Sequence, residues 1–319
     1  MAKESDFTLF NKMAIIGVGL IGGSIALKLR ELKLVNHVVG FGRSEGNLET
    51  AKDLGIIDEY HRDFKYLEDA DIIIIATPVT SIVHLVKQIA PFCKKGAIVT
   101  DVGSVKEEIV KKIDQNYVNG INFVPAHPIA GTENSGATAA FSSLFENRKC
   151  ILTPSKKTDQ GALTTVKLMW ERLGSQVITM DPNLHDRIFA AISHLPHIIA
   201  YALVHCADDM KDIDEDILSY SAGGFLDFTR IASSDPEMWR DICLLNKTNI
   251  LEMIERFETT LGEMKKAINS SDGHRIYEDF HTSKKAREKL LWSKSNVKHL
   301  NPWSANSTEK TGAPDKKES

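Results

Sequence analysis

The chain has 319 residues, of which 42% are hydrophobic and 26% are charged, a composition typical of a soluble globular protein of about two domains. Its 39 Lys and Arg residues and 43 Asp and Glu residues give a net charge of -4. A protein that binds nucleic acid or an anionic membrane usually has an excess of basic residues, so the charge argues against both classes. Four cysteines without a CxxC pair argue against a zinc site or a disulfide framework and indicate a reducing, cytoplasmic environment.

Neither the N-terminal residues nor the longest apolar segment predicts a membrane partner. Residues 1–12, MAKESDFTLFNK, are too polar for a signal peptide. The longest apolar run, IFAAISHLPHIIAYALVHCA, is interrupted by a proline and three histidines. We therefore interpret this run as a buried helical region and not as a membrane span.

Residues 13–180 alternate short apolar runs with amphipathic stretches, which predicts strands and helices in turn. The predicted strands are MAIIG, HVVGFG, ADIIIIATP, GAIVTDVG, INFVPAHP, KCILTP and SQVITM. The predicted helices are GSIALKLREL, EGNLETAKDLG, VTSIVHLVKQIAPF and ALTTVKLMWERLG. Because a run such as DIIIIAT is apolar throughout, it is typical of a parallel sheet covered on both faces. The pattern predicts a Rossmann-like, doubly wound α/β domain.

Residues 181–290 carry almost no strand signal, which predicts an all-α C-terminal domain. One predicted helix carries an apolar stripe at alternating spacings of four and three, formed by Ile250, Ile254, Phe257, Leu261 and Met264. Such a stripe either packs inside its own domain or forms a subunit interface. Residues 295–319 are polar and aperiodic, and we expect a disordered tail there.

A GxGxxG pattern, formed by Gly17, Gly19 and Gly22, lies between the first predicted strand and the first predicted helix. In that position the first glycine allows a tight turn, the second lets the backbone approach a pyrophosphate, and the third allows close helix–strand packing. The helix N-terminus, at Leu20 and Ile21, supplies N–H groups for the anion. The motif therefore predicts dinucleotide binding.

The second predicted strand ends in GFGRSEG, where a carboxylate would normally bind the adenosine ribose. Gly42, Arg43 and Ser44 stand there instead. Arg43 can pair with a 2′-phosphate, which favours NADP. Alternatively, it stacks on the adenine or faces water while Glu45 or a backbone group binds the ribose, so NAD and NADP both stay open. Further cofactor contacts are expected at the ends of the next two strands, from Thr77, Pro78 and Asp101.

Five motifs occur together in the chain: GVGLIGGS, DVGSVK at 101–106, HPIAGTE at 127–133, SHLPH at 193–197 and GFLDFTRIASSDPEMW at 224–239. In this order they resemble the prephenate/arogenate dehydrogenase family, in its monofunctional cyclohexadienyl dehydrogenase form. The resemblance implies oxidative decarboxylation of prephenate to 4-hydroxyphenylpyruvate in tyrosine biosynthesis, or of arogenate to tyrosine, with hydride passing to NAD or NADP. It also implies a homodimer formed through the helical domain.

The candidate catalytic residues are His127 and Ser104. Taking a hydride from a carbon that bears a hydroxyl group requires an acceptor for the hydroxyl proton, and an imidazole near neutrality is suitable. Pro128 restricts His127 to an extended backbone, which indicates a histidine held at a strand end; a buried structural histidine is the alternative. Ser104 matches the family's serine that hydrogen-bonds the histidine and the substrate hydroxyl, but it is also a candidate N-cap for the helix VKEEIVKKI.

A prephenate site needs cations because the substrate carries two carboxylates. Arg230 can bind a carboxylate through two parallel hydrogen bonds, and the resemblance makes it the main carboxylate-binding residue. His197 matches a histidine that also contacts the carboxylate. The resemblance places five further residues at the substrate: Thr132, Glu133, Ser193, Asp227 and Trp239. The pair of His194 and His197 lacks a third ligand at suitable spacing, so no metal is expected.

Two other functions are compatible with part of this pattern. A β-hydroxyacid dehydrogenase shares the architecture but relies on a lysine in its helical domain. A dinucleotide-sensing protein without turnover would not need His127, Ser104 and Arg230 together.

Overall fold

The computed structural model forms two compact units, residues 1–254 and 255–319. It describes residues 8–116, 120–132, 134–210, 213 and 216–299. The first unit continues well past the domain boundary predicted near residue 180. Part of the helical region after residue 181 packs onto the sheet. Its Trp239 and Ile242 belong to one of the two hydrophobic cores beside the sheet.

The predicted parallel sheet is confirmed, with six strands in the order β3-β2-β1-β4-β5-β6. The strands are β1 (Phe10–Ile16), β2 (Val35–Phe41), β3 (Glu59–His61), β4 (Ile72–Ile75), β5 (Ala97–Asp101) and β6 (Ile121–Val124). The sequence pattern did not predict β3, whose three residues are only half-buried. The strand order reverses between β1 and β4, and open α/β sheets bind ligands at the carboxyl ends of the strands beside such a point.

Helices cover both faces of this sheet. They are α1 (Leu20–Glu31), α2 (Glu45–Asp53), α3 (Ile82–Ile89), α4 (Glu107–Gln115) and α5 (Gln160–Arg172). Ile25 of α1 and Trp170 of α5 belong to the core on one face. On the other face, Ile82 of α3 and Ile109 of α4 pack beneath the sheet. The arrangement is therefore doubly wound, as the apolar strands predicted.

The predicted strand INFVPAHP divides at Pro125 into two strands of different sheets. β6 ends at Val124, and β7 (Ala126–Pro128) pairs antiparallel with β8 (Lys149–Leu152), which pairs parallel with β9 (Gln176–Thr179). Pro125 has no N–H to donate to a ladder, so the chain leaves the first sheet at that residue. This second, mixed sheet, which the sequence did not predict, carries His127 on its edge strand.

The helical C-terminal region is confirmed. Its helices are α6 (Pro182–Phe189), α7 (Leu195–Asp208), α8 (Gly223–Thr229), α9 (Pro236–Leu245), α10 (Lys247–Asn269) and α11 (Gly273–His299). A π-helical turn over Ala190–His194 joins α6 to α7. Pro196 cannot donate to the carbonyl of Ile192 four residues earlier, and the wider turn lets the helix continue past it.

Two sequence-based expectations about this region need correction. The segment Pro182–Asp208 is long and apolar enough to cross a membrane by length and composition alone, and 22% of its most apolar window is buried. The run predicted to be buried is therefore helical but only partly buried in the single chain, with many of its residues at intermediate exposure. Residues 295–299, assigned to the predicted tail, continue α11, because no proline or glycine interrupts the chain before Pro302. Residues 300–319 lie outside the described part of the chain.

Candidate active site

The phosphate-binding turn has the geometry that its three glycines predict. Gly17 has φ +98, and a Cβ there would lie 2.4 Å from the carbonyl oxygen of Ala76. A Cβ on Gly22 would lie 2.4 Å from the carbonyl oxygen of Gly17. At Gly19 a Cβ would meet no described atom within 4 Å. The first and third positions thus require glycine for packing, and the second leaves open space where a pyrophosphate can approach.

The N-terminus of α1 lies at this open space. Gly19 is its N-cap, and no side chain of the described residues caps the helix there. The first backbone N–H groups of a helix have no partner within the helix, so they are available to an anion. Leu20 is buried in the core, which leaves its backbone rather than its side chain to serve a cofactor. Ile21 follows it in the first turn.

The carboxyl end of β2 presents arginine rather than free carboxylate. Arg43 is exposed after Gly42, and the Ser44 hydroxyl accepts a hydrogen bond from the backbone N–H of Asn47 as the N-cap of α2. Arg62 donates through Nη2 to the Glu45 carboxylate at 3.1 Å and to the carbonyl oxygen of Arg43 at 3.5 Å. Glu45, the alternative ribose ligand, is therefore already paired with a guanidinium group.

Thr77 and Pro78 follow β4, directly after Ala76, whose carbonyl faces Gly17 across the switch point. The Thr77 hydroxyl lies 2.7 Å from the Ser81 hydroxyl. The Thr77 side chain lies beside the turn, since a Cβ on Gly17 would be 3.0 Å from its Cγ2. The cofactor contacts of Thr77 and Pro78 stay a prediction.

Asp101 was expected to contact the cofactor, and the structure gives it a different position. It is fully buried, and its carboxylate pairs with the equally buried Lys106 ammonium group. The same carboxylate accepts from the backbone N–H groups of Gly103, at 2.8 Å, and Ala126, at 3.3 Å. Lys106 also donates to the Ala126 carbonyl oxygen at 2.8 Å. The buried pair thus fixes the backbone just before His127 and has no free face toward a cofactor.

His127 lies in a chain of buried polar side chains. Its Nδ1 is 2.8 Å from Nε2 of His185, whose Nδ1 is 2.7 Å from Oδ1 of Asp186. Its ring also packs against Phe189, with ring centroids 4.9 Å apart. Although part of its surface reaches solvent, the surrounding protein lowers the pKa of His127 well below the ordinary value, mainly through burial and also through the positive charge of Lys106. His127 is therefore neutral near pH 7, the form that can accept a proton.

The N-terminus of α4 is capped from α6 and not by Ser104. Asp186 accepts from the backbone N–H groups of Lys106 and Glu107, each at 2.9 Å. The N-cap position is Lys106, so the reading of Ser104 as a plain N-cap is wrong. Ser104 is half-buried in the loop after β5, and no hydrogen bond joins it to His127 among the described residues. The hydrogen bond implied by the resemblance stays a prediction.

A second cluster surrounds His197. Its ring stacks on Trp239 with centroids 3.7 Å apart, and its Nδ1 donates to the backbone carbonyl of Ser193 at 2.8 Å. Within the described residues, its Nε2 has no hydrogen-bond partner. Burial lowers the pKa of His197, and the positive charge of Arg230 lowers it further. His194 packs edge-on against the same Trp239, and burial lowers its pKa to about 4. Through these ring contacts, the motif SHLPH packs against Trp239 of the motif at 224–239.

The remaining predicted substrate residues lie at the surface. Arg230 is exposed directly after α8, and among the described residues it forms no ion pair. Asp227 is exposed on α8, and the exposed Thr132 accepts from the backbone N–H of Asn134 at 3.2 Å. Glu133 lies outside the described residues. Within the described chain, no group of three His, Cys, Asp or Glu side chains could hold a metal ion.

Sequence reasoning missed His185 and Asp186. Both are almost completely buried on α6, at 0% and 1% exposure. The sequence offers one signal. His185 and Asp186 stand four and three positions before Phe189 in PNLHDRIF, which puts two polar residues on the same helix face as a large apolar one. Buried polar residues need hydrogen-bond partners, and these two find theirs on β7 and α4.

A doubly wound sheet with a phosphate-binding turn, and a neutral histidine held beside the carboxyl end of β5, is the arrangement of a dinucleotide-dependent dehydrogenase. Two family models match the chain: "Prephenate dehydrogenase, nucleotide-binding domain" over residues 25–179 and "Prephenate dehydrogenase, dimerization domain" over residues 181–282. The chain belongs to the prephenate dehydrogenase family.

Individual relatives agree with this assignment. The chain is 37% identical over 282 residues to a cyclohexadienyl dehydrogenase of Zymomonas mobilis, covering 88% of this chain and 96% of the relative. It is 36% identical over 278 residues to a prephenate dehydrogenase of Bacillus subtilis, covering 86% and 75%. The structure of a prephenate dehydrogenase from Aquifex aeolicus, in complex with hydroxyphenyl propionate and NAD+, superposes with a TM-score of 0.83 at 40% identity and covers 88% of this chain and 98% of that one.

Proposed function

We propose that this protein is a prephenate dehydrogenase that converts prephenate to 4-hydroxyphenylpyruvate and carbon dioxide while a nicotinamide dinucleotide accepts the hydride. The observation that carries this proposal is the position of His127 in a chain of this family. A neutral imidazole is held beside the carboxyl end of β5, where Asp101 accepts from the backbone N–H of the preceding Ala126.

His127 acts as the proton acceptor for the ring hydroxyl. As the hydride leaves the carbon that bears this hydroxyl, positive charge develops there, and partial transfer of the hydroxyl proton to His127 relieves it. The bond to the ring carboxylate then breaks, its electron pair completes the aromatic ring, and the proton returns to the phenolic oxygen. Ser104, in the loop after β5, hydrogen-bonds the same hydroxyl in this proposal and orients it toward the histidine.

Arg230 and His197 bind the substrate carboxylates. Arg230 is an exposed guanidinium group without an ion pair among the described residues, so it is available for a bidentate contact. The Ser193 carbonyl and the stacked Trp239 hold the His197 ring in place. Because Nδ1 donates to that carbonyl, His197 binds a carboxylate as the imidazolium, with a second proton on Nε2, and the negative charge of the bound carboxylate favours that form. We place Thr132 and Asp227 at the rim of the same site, because both are exposed polar residues in the two substrate motifs.

Arogenate is the alternative substrate. It differs from prephenate only in carrying an amino group in place of the side-chain keto group. The similarity to a protein named cyclohexadienyl dehydrogenase favours keeping this alternative, because that name specifies the ring and not the side chain.

We propose that the cofactor site accepts NADP as well as NAD. Arg62 neutralises Glu45, so the end of β2 lacks a free carboxylate that would repel a 2′-phosphate. Arg43 is exposed at the same end and can pair with that phosphate.

We propose that two copies of the chain form a homodimer through the helical region. Within the first unit, large apolar side chains are exposed at Ile192 (68%) in the π-helical turn, Leu226 (59%) on α8 and Leu244 (65%) on α9. In the second unit, Phe257 and Leu261 of the predicted stripe are also exposed. Exposed apolar surface of this kind marks an interaction site. Light scattering should give twice the 35.5 kDa chain mass, and a monomer at micromolar concentration would contradict the proposal.

The activity is tested by incubating the purified protein with prephenate and either NAD+ or NADP+. The expected result is a rise in the absorbance of the reduced nicotinamide, matched by release of carbon dioxide. Arogenate is tested in parallel under the same conditions. Absence of reduced cofactor with both substrates would overturn the proposed function.

A further inference from the structure

We infer that His185 and Asp186 set the tautomer of His127, so that its Nδ1 carries the proton and its Nε2 presents a lone pair to the substrate. The inference deepens the proposed function and rests on it. His185 and Asp186 are positioning residues, since they act through His127 and not on the substrate.

The argument begins at Asp186, whose two oxygens have only donors around them. Oδ1 accepts from the backbone N–H of Lys106, and Oδ2 accepts from that of Glu107. Negative charge is stabilised at the N-terminus of a helix, which here is α4. An ionised carboxylate can only accept hydrogen bonds. The nitrogen of His185 that lies 2.7 Å from Oδ1 must therefore be the donor, so the Nδ1 of His185 carries a proton.

The second step follows from the charge of His185. Burial lowers its pKa, Asp186 and Asp101 oppose that shift, and Lys106 adds to it. A neutral His185 with its proton on Nδ1 has a bare Nε2, which can only accept. Nε2 lies 2.8 Å from Nδ1 of His127, so His127 must donate there. The proton of a neutral His127 is then on Nδ1, and its Nε2 is free to act as the base.

Neighbouring side chains hold the hydrogen-bonded row of His127, His185 and Asp186 in place. Phe189 packs against both imidazole rings, with centroids 4.9 Å from that of His127 and 4.5 Å from that of His185. Asn246 donates to the Asp186 backbone carbonyl at 2.8 Å. When His127 takes a proton in the transition state, its Nδ1–H remains bonded to His185, and the Asp186 carboxylate lies at the end of the same chain. His185 and Asp186 therefore orient the base and stabilise its charged form, as the orienting residue of a catalytic triad does.

The tautomer is measured directly by nitrogen NMR of the imidazole rings in the unmodified full-length protein labelled with 15N-histidine. His127 is assigned by the signal lost in His127→Asn. The expected result is a protonated Nδ1 and an unprotonated Nε2. A His127 signal with the proton on Nε2 would overturn the inference without needing any variant of His185.

Variants then test whether His185 causes this state. In His185→Phe, which keeps a ring against Phe189 but removes the acceptor, kcat should fall at least about tenfold while the dissociation constant of NAD+ stays unchanged. His185→Gln can accept through its amide oxygen and should recover part of the loss. The control is Asn183→Ala on the same helix, which removes a bond to Glu107 at 3.0 Å and should leave kcat unchanged. An unaltered tautomer and kcat in His185→Phe would contradict the inference.

Failure of the inference and failure of the proposed function give different results. Absence of prephenate turnover by the unmodified protein removes the function and leaves the NMR signal of His127 readable. Normal turnover with the proton on Nε2 removes only the inference. If His185 has only a structural role, His185→Phe should lower the thermal stability and leave unchanged the pH at which kcat/KM declines on the acidic side. If His185 controls the tautomer of His127, the variant should also shift that pH.

Discussion

The phosphate-binding turn and the histidine chain are built in different ways from the sequence. Gly17, Gly19 and Gly22 lie close together between β1 and the start of α1, and steric conflicts with each other and with Ala76, just after β4, explain two of them. The contact between His127 and His185 joins residues 58 positions apart, and the cap from Asp186 to Lys106 spans 80. A backbone constraint is local and can be predicted from a motif. A buried polar network depends on which elements the fold brings together.

The comparison is tested most strongly by removing the base itself. His127→Asn should lower kcat by at least about a hundredfold, because general-base catalysis contributes roughly 10²–10⁴-fold. The phosphate-binding turn is untouched, so the affinity for NAD+ should not change. Steady-state kinetics and a cofactor titration measure both quantities. His84→Asn, at an exposed histidine of α3, is the control and should retain full activity. Near-normal kcat in His127→Asn would make His127 a structural histidine.

Removal of Lys106 should mainly affect stability. Lys106→Met leaves the buried Asp101 carboxylate without its partner, and breaking a buried ion pair in this way typically costs about 3–5 kcal/mol. Denaturant unfolding of the purified variant measures the loss in the free energy of unfolding. Lys112→Met removes a lysine of the same helix from its exposed pair with Glu108, and it should change that free energy by less than about 1 kcal/mol. Equal stability of the two variants would show that the buried pair does not hold the site together.

Arg230→Ala should raise the KM for prephenate roughly tenfold or more, since a charged hydrogen bond is worth about 1.5–3 kcal/mol. The change in kcat should be smaller, because a carboxylate clamp acts in the ground state as well as in the transition state. Arg240→Ala is the matched control, as Arg240 is exposed and paired with Asp241 on α9. An unchanged KM in Arg230→Ala would place the carboxylate contact elsewhere.

The smallest expected effect concerns cofactor choice. Arg43→Ala should weaken NADP binding by about tenfold, at the lower end for a charged hydrogen bond because Arg43 is exposed, and it should leave NAD binding unchanged. Fluorescence titration with both reduced cofactors measures this difference. Arg172→Ala, at an exposed arginine of α5, is the control. Equal affinities for both cofactors that the substitution does not alter would refute pairing of Arg43 with the 2′-phosphate.

Much of the fold follows from the sequence because its signals are local. The apolar run of β4 and the glycines after β1 predict the parallel sheet and its phosphate-binding turn. The break at Pro125 could not be predicted, because a proline between two apolar runs is compatible with one edge strand or with two strands of separate sheets. Only the pairing of β7 with β8 distinguishes these arrangements.

The site was predicted to a different extent. Motifs in the sequence predict His127, His197 and Arg230 as site residues, and these roles stay predictions, while His185 and Asp186 lie in no motif. Asp101 was placed at the cofactor because it ends a strand, but a strand-end carboxylate can equally turn inward to a buried lysine, as it does toward Lys106. Partners of this kind are set by packing between distant elements and not by local spacing.

The central claim is that His127 acts as a neutral base. Burial and the positive charge of Lys106 lower its pKa well below the ordinary value, so the neutral form should persist through neutral pH and be lost only as the pH falls through that lowered pKa. The direct test is the pH dependence of kcat/KM for prephenate, which reports the groups of the free enzyme, in the unmodified protein and in His127→Asn. The unmodified protein should show a plateau near neutral pH and a decline at acidic pH, and the decline should be absent in the variant. The same acidic decline in both proteins would show that another group is the base.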